Sequence, residues 1–479
     1  MKKSSTGIYI PCNQNTRVIK FKIDRKHRRK VFLLTNADQH YIKMTETPVA
    51  RLILKLGIPT TISMLITSIY NMADTYFVGT LGPSAQAATG VLFTLQAIIQ
   101  GVAFMLGQGS GTFISRELAD KNTSRASMYA SSSFFVGGII GVVIMVLGLL
   151  IREPLVLFLG STETILPHAK DYALWVLLSC PFVITSMILN NALRFEGRAF
   201  YAMFGLTAGG ILNIFGDYLL VAKLNMGVYG AGLATAVSQC ISFIILYIMF
   251  RKMAQSKIAF KSVSRSWKTY LSICRVGLPS LIRQSMTSVT TGILNNLTKA
   301  FGDAAIAAMS VVSRYAMFLM CVGLGMGQGF QPVAAFNYRA KKYDRVKKGL
   351  VFLIIYALIL VGGLSTITML IPEQVVAIFQ KRQEVIEVGS VALRYYAFGM
   401  IFMAFSVPVN MLYQSIQKPT ISSVLSLIRA GAITIPLLLI LVPTVGLTGI
   451  QIAQPIADVT AGIISIPFII HFLKSKHDA

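Results

Sequence analysis

The stretch LGIPTTISMLITSIYNMADTYFVGTLG, residues 56–82, carries a single charge, Asp74. It is long enough to cross a hydrocarbon core, for which about 20 apolar residues suffice. Comparable windows recur near 52–80, 85–113, 126–151, 170–193, 199–222, 228–250, 268–298, 303–332, 349–371, 390–413, 420–442 and 447–473. The chain has 479 residues, 54% of them hydrophobic and only 13% charged, with a mean hydropathy of +0.66. An ordinary soluble domain carries about 25% charge. The reading is an all-α polytopic membrane protein with 12 transmembrane helices.

The chain repeats itself. LGIP at 56–59 matches VGLP at 276–279, LGQG at 106–109 matches MGQG at 326–329, and Gly82 matches Gly302. Ala85, Ala87 and Ala88 match Ala305, Ala307 and Ala308, and one offset, position n to position n + 220, relates every pair. The register thus holds across two spans without a gap. Six spans per copy is an even number, so both copies enter the membrane in the same sense, as in transporters built from parallel repeats. The expected organisation is a basic, disordered tail over 1–47, an N-lobe over 48–252, a linker over 253–267, a C-lobe over 268–473 and a short tail over 474–479.

The net charge of +26 would suggest a nucleic-acid partner if it formed a patch. It is instead distributed between the segment 1–43, which holds 11 Lys/Arg against two Asp, and short connections such as SRELADKNTSR (115–125), RFEGR (194–198) and YRAKKYDRVKK (338–348). The alternate connections, LGP (81–83) and VPTVG (442–446) among them, are poorer in Lys/Arg. That is the cytoplasmic bias of a membrane protein. It places both termini in the cytoplasm and the chain, multi-pass, in the cell membrane, with no nucleic-acid partner. VFLL (31–34) is too short for the apolar core of a signal peptide. Met44 opens MTETPVARLILKLGIP, a pattern suited to the start of a membrane protein, so the upstream segment has a second reading as an extension from an earlier start.

Five single cysteines and five histidines show no metal-ligand spacing and no disulfide framework. GLGMGQG (323–329) lies inside an apolar span with no strand before it, so it reads as helix packing, and no GxxxxGK[ST] occurs. No cofactor and no ATPase subunit is expected.

Acidic residues inside the membrane cost about 2.5–3.5 kcal/mol each at a helix centre and mark functional sites by default. Three Asp qualify: Asp74, Asp217 and Asp458. At 1.5 Å per residue, Asp74 lies about 12 Å below the outer end of its span, Asp217 about 9 Å and Thr235 about 12 Å. Asn213, one helical turn before Asp217, shares its helix face. Two carboxyls with amide and hydroxyl neighbours at one level suit the exchange of H⁺ or Na⁺. Withdrawal from water favours the neutral acid, whereas a bound cation favours the ionised form. Pro59, earlier in the same span as Asp74, allows a kink in that helix. Asp458, roughly 18 Å down in the other copy, has no evident acidic companion.

The stretch at 56–82, together with GQGSGTFISRELADKN (107–122), NNALRFEGR (190–198) and GGILNIFGDYLLV…GVYGAGLATAVSQ (209–239), resembles the multidrug and toxic compound extrusion (MATE) family over about residues 48–473. The resemblance implies a V-shaped pair of six-helix bundles that exports cationic amphipathic compounds against H⁺ or Na⁺. It implies ion-coupling roles for Asp74, Asn213, Asp217 and Thr235, with a backbone carbonyl from Ala231, and substrate-binding roles for Tyr70 and Asn190. The family branch with acidic residues in helices 7, 8 and 10 is not matched, and QSIQKP (414–419) keeps only part of the usual pattern before helix 11. A lipid-linked oligosaccharide flippase of the same superfamily is the alternative, with Arg283, Arg314 and Arg429 as its basic lining. An intramembrane aspartyl protease would need a GxGD sequence, which the residues before Asp217 do not supply.

Overall fold

The computed structural model describes residues 35–475, and every regular element among them is helical. In chain order these are α1 (Asn36–Glu46), α2 (Val49–Gly79), α3 (Pro83–Ala119), α4 (Thr123–Leu150), α5 (Arg152–Phe158), α6 (Leu166–Phe195), α7 (Ala199–Asp217) and α8 (Gly227–Met253). The second half holds α9 (Trp267–Thr298), α10 (Gly302–Arg339), α11 (Tyr343–Ala357), α12 (Gly363–Leu370), α13 (Pro372–Phe379), α14 (Gln383–Ser415), α15 (Pro419–Leu427), α16 (Thr434–Val445) and α17 (Leu447–Lys474). Wider π-helical turns follow α7 (Tyr218–Lys223), α11 (Leu358–Gly362) and α15 (Ile428–Ala432). Helices dominate because a backbone in hydrocarbon must satisfy its own hydrogen bonds. Eleven continuous stretches are long and apolar enough to cross a membrane, one of them the long run Trp267–Arg339. A 3₁₀ turn at Lys299–Phe301 and Gly302 at φ +84 interrupt that run between α9 and α10.

The sequence repeat is written into the backbone. Lys121 and Lys341 both adopt φ +58, and Gly197 (φ +71) is matched by Gln417 (φ +62). The Asn190 side chain donates to the Ala202 carbonyl (3.0 Å), and Asn410 donates in the same way to that of Ser422 (2.8 Å).

Each lobe crosses the other through glycine. A Cβ added at Gly277 of α9 would overlap the Met105 carbonyl of α3, and one at Gly109 of α3 would overlap the Ile273 carbonyl of α9. At their repeat partners, a Cβ added at Gly329 of α10 would overlap the Gly57 backbone of α2, and one at Gly57 would overlap the Met326 side chain of α10. These contacts lie toward the end that carries both chain termini. There Gln108 accepts from Ser280 (2.8 Å), and Gln414 donates to Ser280 (2.8 Å) and accepts from Gln331 (2.9 Å). Arg194 of α6 donates to Gln328 of α10 and to Asn191 of its own helix. All of these side chains are buried.

The disordered tail expected over 1–47 is corrected for its last part; residues 1–34 lie outside the described residues. α1 is a helix because Thr35 and Asp38 form a reciprocal capping box and because His40 and Met44 are buried. It ties both lobes together. On the N-lobe side, Asp38 pairs with Lys121 at 2.6 Å and Lys43 donates to the Gly197 carbonyl at 3.2 Å. On the C-lobe side, Asn337 donates to the Met44 carbonyl at 3.1 Å, Arg345 donates to the Thr47 carbonyl at 2.6 Å, and His40 meets the Phe336 ring. The linker after α8 is held to the N-lobe. Glu196 accepts from the Gln255 and Ser256 amides (2.5 and 3.1 Å), and Ser127, Ser131 and Ser132 of α4 accept from the amides of Lys257, Ala259 and Ser264.

Two predictions arise. Gly277→Val should cost on the order of 3 kcal/mol by overpacking and lower the unfolding temperature in detergent. Gly292→Ala, with nothing within 4 Å of the added Cβ, should leave it nearly unchanged; equal behaviour of the two would refute the glycine crossing. Secondly, burial, helped by Lys43 and Arg198, lowers the His40 imidazole from 6.5 to about 3. Docked His40 stays neutral while a released α1 takes up a proton below pH 6.5, so docking should weaken as pH falls from 6.5 toward 3. The Lys121 and Thr35 hydrogen bonds to Asp38, whose carboxyl is lowered from 3.8 to about 2, are lost only in stronger acid. Amide exchange in α1, corrected for intrinsic rates, should therefore be faster at pH 5 than at pH 7.5 and less pH-dependent in His40→Gln. Protection unchanged across that range would contradict it.

Candidate functional site

Four helices of the N-lobe bring their polar groups together at one level. Asp74 comes from α2, Tyr172 from α6, Asn213 and Asp217 from α7, and Thr235 from α8. The Tyr172 hydroxyl donates to Asp74 Oδ2 at 3.0 Å, and Gln96 Nε2 of α3 approaches the same hydroxyl at 3.5 Å. Asn213 Nδ2 donates to Thr235 Oγ1 at 3.1 Å. Asp217 is fully buried, and neither of its carboxylate oxygens has a hydrogen-bond partner among the described residues. Asp74 Oδ1 and Asn213 Oδ1 are likewise enclosed and unpartnered there.

This arrangement is incomplete as a static structure. An unpaired buried charge is among the costliest features a protein can carry. Among the described residues no lysine, arginine or histidine makes an ion pair with Asp74 or Asp217. The group therefore calls for something that is not a side chain. The oxygens of two carboxyls, an amide and a hydroxyl are groups that accept a proton or ligate a hard cation. The wider π turn Tyr218–Lys223 begins directly after Asp217, and such turns loosen the backbone ladder at functional positions.

Of the residues expected from the sequence, Asp74, Asn213, Asp217 and Thr235 are brought together. Ala231 is fully buried one turn before Thr235, and Tyr70, one turn before Asp74, lies against Gly210 of α7. Pro59 sits within the continuous helix α2. Asn190 stands apart, about 27 Å along α6 from Tyr172 at the helical rise of about 1.5 Å per residue, with its amide bracing α7. Tyr172 and Gln96 escaped sequence reasoning, since a lone tyrosine or glutamine in an apolar span carries no signal of its own. Their depth below the outer helix ends was the available clue. Asp458, expected to be without an acidic companion, has a basic one: Arg429 Nε donates to it at 3.0 Å and Gln454 at 3.3 Å.

Fold and site together define a two-lobed helical membrane protein whose lobes are repeats of one another and whose interior holds an unsatisfied acidic site. The chain belongs to the MatE family, whose profile matches residues 59–219 and 279–440, two segments whose starts are related by the repeat offset. It is 25% identical over 442 residues to the multidrug export protein MepA of Staphylococcus saprophyticus, covering 92% of this chain and 97% of that protein. The MepA of Staphylococcus aureus strain MSSA476 is 26% identical over 446 residues, with the same coverage. The fold superposes on a crystal structure of MATE in the straight conformation with a TM-score of 0.84 and 26% identity, over 91% of this chain and 99% of that one. An outward-facing multidrug resistance MATE family transporter gives 0.83 and 25% identity over the same shares. The protein is thus a membrane protein of a multidrug efflux transporter family.

Tyr172→Phe removes the hydroxyl that donates to Asp74 and should destabilise the protein by about 1–3 kcal/mol. In an Asp74→Asn background the same change should cost less. A double-mutant cycle by thermal unfolding in detergent reads the difference, and strictly additive effects would deny the contact.

Proposed function

We propose that this protein is a secondary active exporter that exchanges H⁺ or Na⁺, bound at Asp74 and Asp217, for cationic amphipathic compounds. The observation that carries this reading is the buried, unpartnered Asp217 in the same polar group as Asp74. A cation site that is alternately filled and emptied has no use for a permanent basic partner.

The proposed steps are those of alternating access. The lobes meet through glycine at the end bearing the termini, which the distribution of Lys and Arg assigns to the cytoplasm. In an outward-open state the acidic group would accept an ion from the outer side while substrate leaves. Separation of the glycine crossings then exposes the site inward, where the ion departs and substrate enters. An ion biases two states only by binding them unequally. A carboxylate that is watered in one state and enclosed in the other provides that inequality. Each elementary charge crossing a potential of about 100 mV supplies about 2.3 kcal/mol. This reading makes the protein a transporter and not an enzyme, with a coupling ion in place of a cofactor or an ATPase subunit. A lipid-linked oligosaccharide flippase would use cationic groups along its cavity; Arg429 is paired with Asp458, which leaves that reading to Arg283 and Arg314, and it gives no role to the unpartnered acids Asp74 and Asp217.

Ethidium accumulation in inverted vesicles tests it. Under a pH gradient or a Na⁺ gradient, wild type should accumulate dye several-fold over a collapsed gradient, and Asp217→Asn should not. Full gradient-driven uptake by the mutant would remove Asp217 from coupling. Absence of uptake by wild type under either gradient, with the protein confirmed in the membrane, would overturn the export reading.

A further inference from the structure

The two lobes have diverged in charge. At the repeat offset of 220, Asp74 corresponds to Leu294, Arg283 to Ser63 and Arg314 to Thr94. The N-lobe interior holds the unpaired acids Asp74 and Asp217. The C-lobe interior holds Arg283, Arg314 and Arg429 against the single acid Asp458.

Arg283 is the unusual member. It stands at the middle of α9, midway between Trp267 and Thr298. One and two turns further on, the same helix face is anchored in the C-lobe: Met286 packs on Gly431 and Thr290 donates to the Ala430 carbonyl at 2.7 Å. That face points Arg283 at the π turn Ile428–Ala432, which carries Arg429. Leu281 on the adjoining face touches Gly101 of the N-lobe, so Arg283 lies where the two lobes adjoin. Its Nη1 is enclosed and makes no hydrogen bond, and no described acid forms an ion pair with it. The residue as a whole is only partly buried. Arg194 and Arg429 both lie within electrostatic range of it, and Asp458 is already engaged by Arg429 at 3.0 Å. The neighbourhood therefore has a surplus of positive charge, with one unsatisfied planar donor at its centre.

Arg314 supports the same polarity. It is exposed, well inside α10, with exposed Ser310 and Ser313 on the same helix. No described acid makes an ion pair with it. A guanidinium at that depth costs about 2.5–3.5 kcal/mol in lipid, a cost that a place on the cleft wall would spare it.

We infer that Arg283 anchors an anion-binding subsite on the C-lobe wall of the cleft, which takes the carboxylate, sulfonate or phosphate group of an amphiphile. A guanidinium with a free donor in a low-dielectric wall recognises such groups by charge-assisted hydrogen bonds. The acids of the N-lobe are enclosed within their own bundle, so the anion-binding group on this wall acts apart from them, and amphiphiles that carry an anionic group, zwitterions included, are the ligands it would take. As a description of transported substrates this rests on the export reading above; as a binding site it does not.

Two dyes that differ only at a carboxyl group separate the possibilities: rhodamine 123, a cationic methyl ester, and rhodamine 110, its free acid. Fluorescence polarisation with the purified full-length protein in detergent measures binding without any gradient. Wild type should bind both. Arg283→Gln should weaken rhodamine 110 by about tenfold, the range of a charge-assisted hydrogen bond, and leave rhodamine 123 within about twofold. Arg283→Lys should restore part of the loss. Rhodamine 123 binding and a monodisperse elution profile report that the variants are folded. Should Arg283→Gln misfold, Arg314→Gln, at an exposed position, should still lower rhodamine 110 selectively. Equal weakening of both dyes, no weakening of either, or failure of wild type to bind rhodamine 110 would each overturn the subsite. Uptake in inverted vesicles is then read separately. Charge-selective binding without gradient-driven uptake of either dye would leave the subsite standing and remove the export reading.

Discussion

Backbone against backbone at two glycine crossings is what organises this molecule. Gly109 with Gly277, and Gly57 with Gly329, bring α3 onto α9 and α2 onto α10 with no side chain between them. Helices meeting in hydrocarbon gain little from the hydrophobic effect and associate through such close packing and through polar contacts. Around the crossings, the buried amides of Gln108, Gln331 and Gln414 with Ser280, and Arg194 with Gln328, supply the polar contacts. All of this lies toward one end of the bundle. The proposed alternation of the lobes would turn on that end. A polar network without an acid is also suited to parting, since no buried ion pair has to be broken.

The acidic site depends on that frame without taking part in it. It sits within one lobe, on α2, α6, α7 and α8, so in the proposed alternation its access to water would change before its internal geometry. Two of the three π turns, the one after Asp217 and the one around Arg429, abut an intramembrane charge, and the third, Leu358–Gly362, does not. The repeat provides the scaffold, and local breaks in it carry the chemistry.

Repetition also makes the division of charge legible. Two copies of one bundle began with the same positions. Where Asp74, Arg283 and Arg314 now put charge inside one copy, the other has a leucine, serine or threonine at the same offset. The unpaired acids lie in the N-lobe and the unpaired Arg283 and Arg314 in the C-lobe, with Arg194 of α6 and Asp458 of α17 as the exceptions, each engaged by side-chain partners. Outside the membrane the same asymmetry is absent: α1 draws on Lys121 and Gly197 from one lobe and on Asn337 and Arg345 from the other.

Hydropathy and spacing along one chain are enough to establish the membrane-spanning helical class, the repeat and its offset, and the common depth of Asp74, Asn213, Asp217 and Thr235. They do not reveal α1, because a helix held by a capping box and two buried side chains leaves no long apolar pattern. Nor do they reveal Tyr172 beside Asp74, Arg429 beside Asp458, or the separation of Asn190 from the acidic group. Those depend on how helices rotate about their own axes and on which neighbour each face meets. Rotation is set by packing across many contacts, the glycine crossings first among them, and such contacts exist only once the chain has folded.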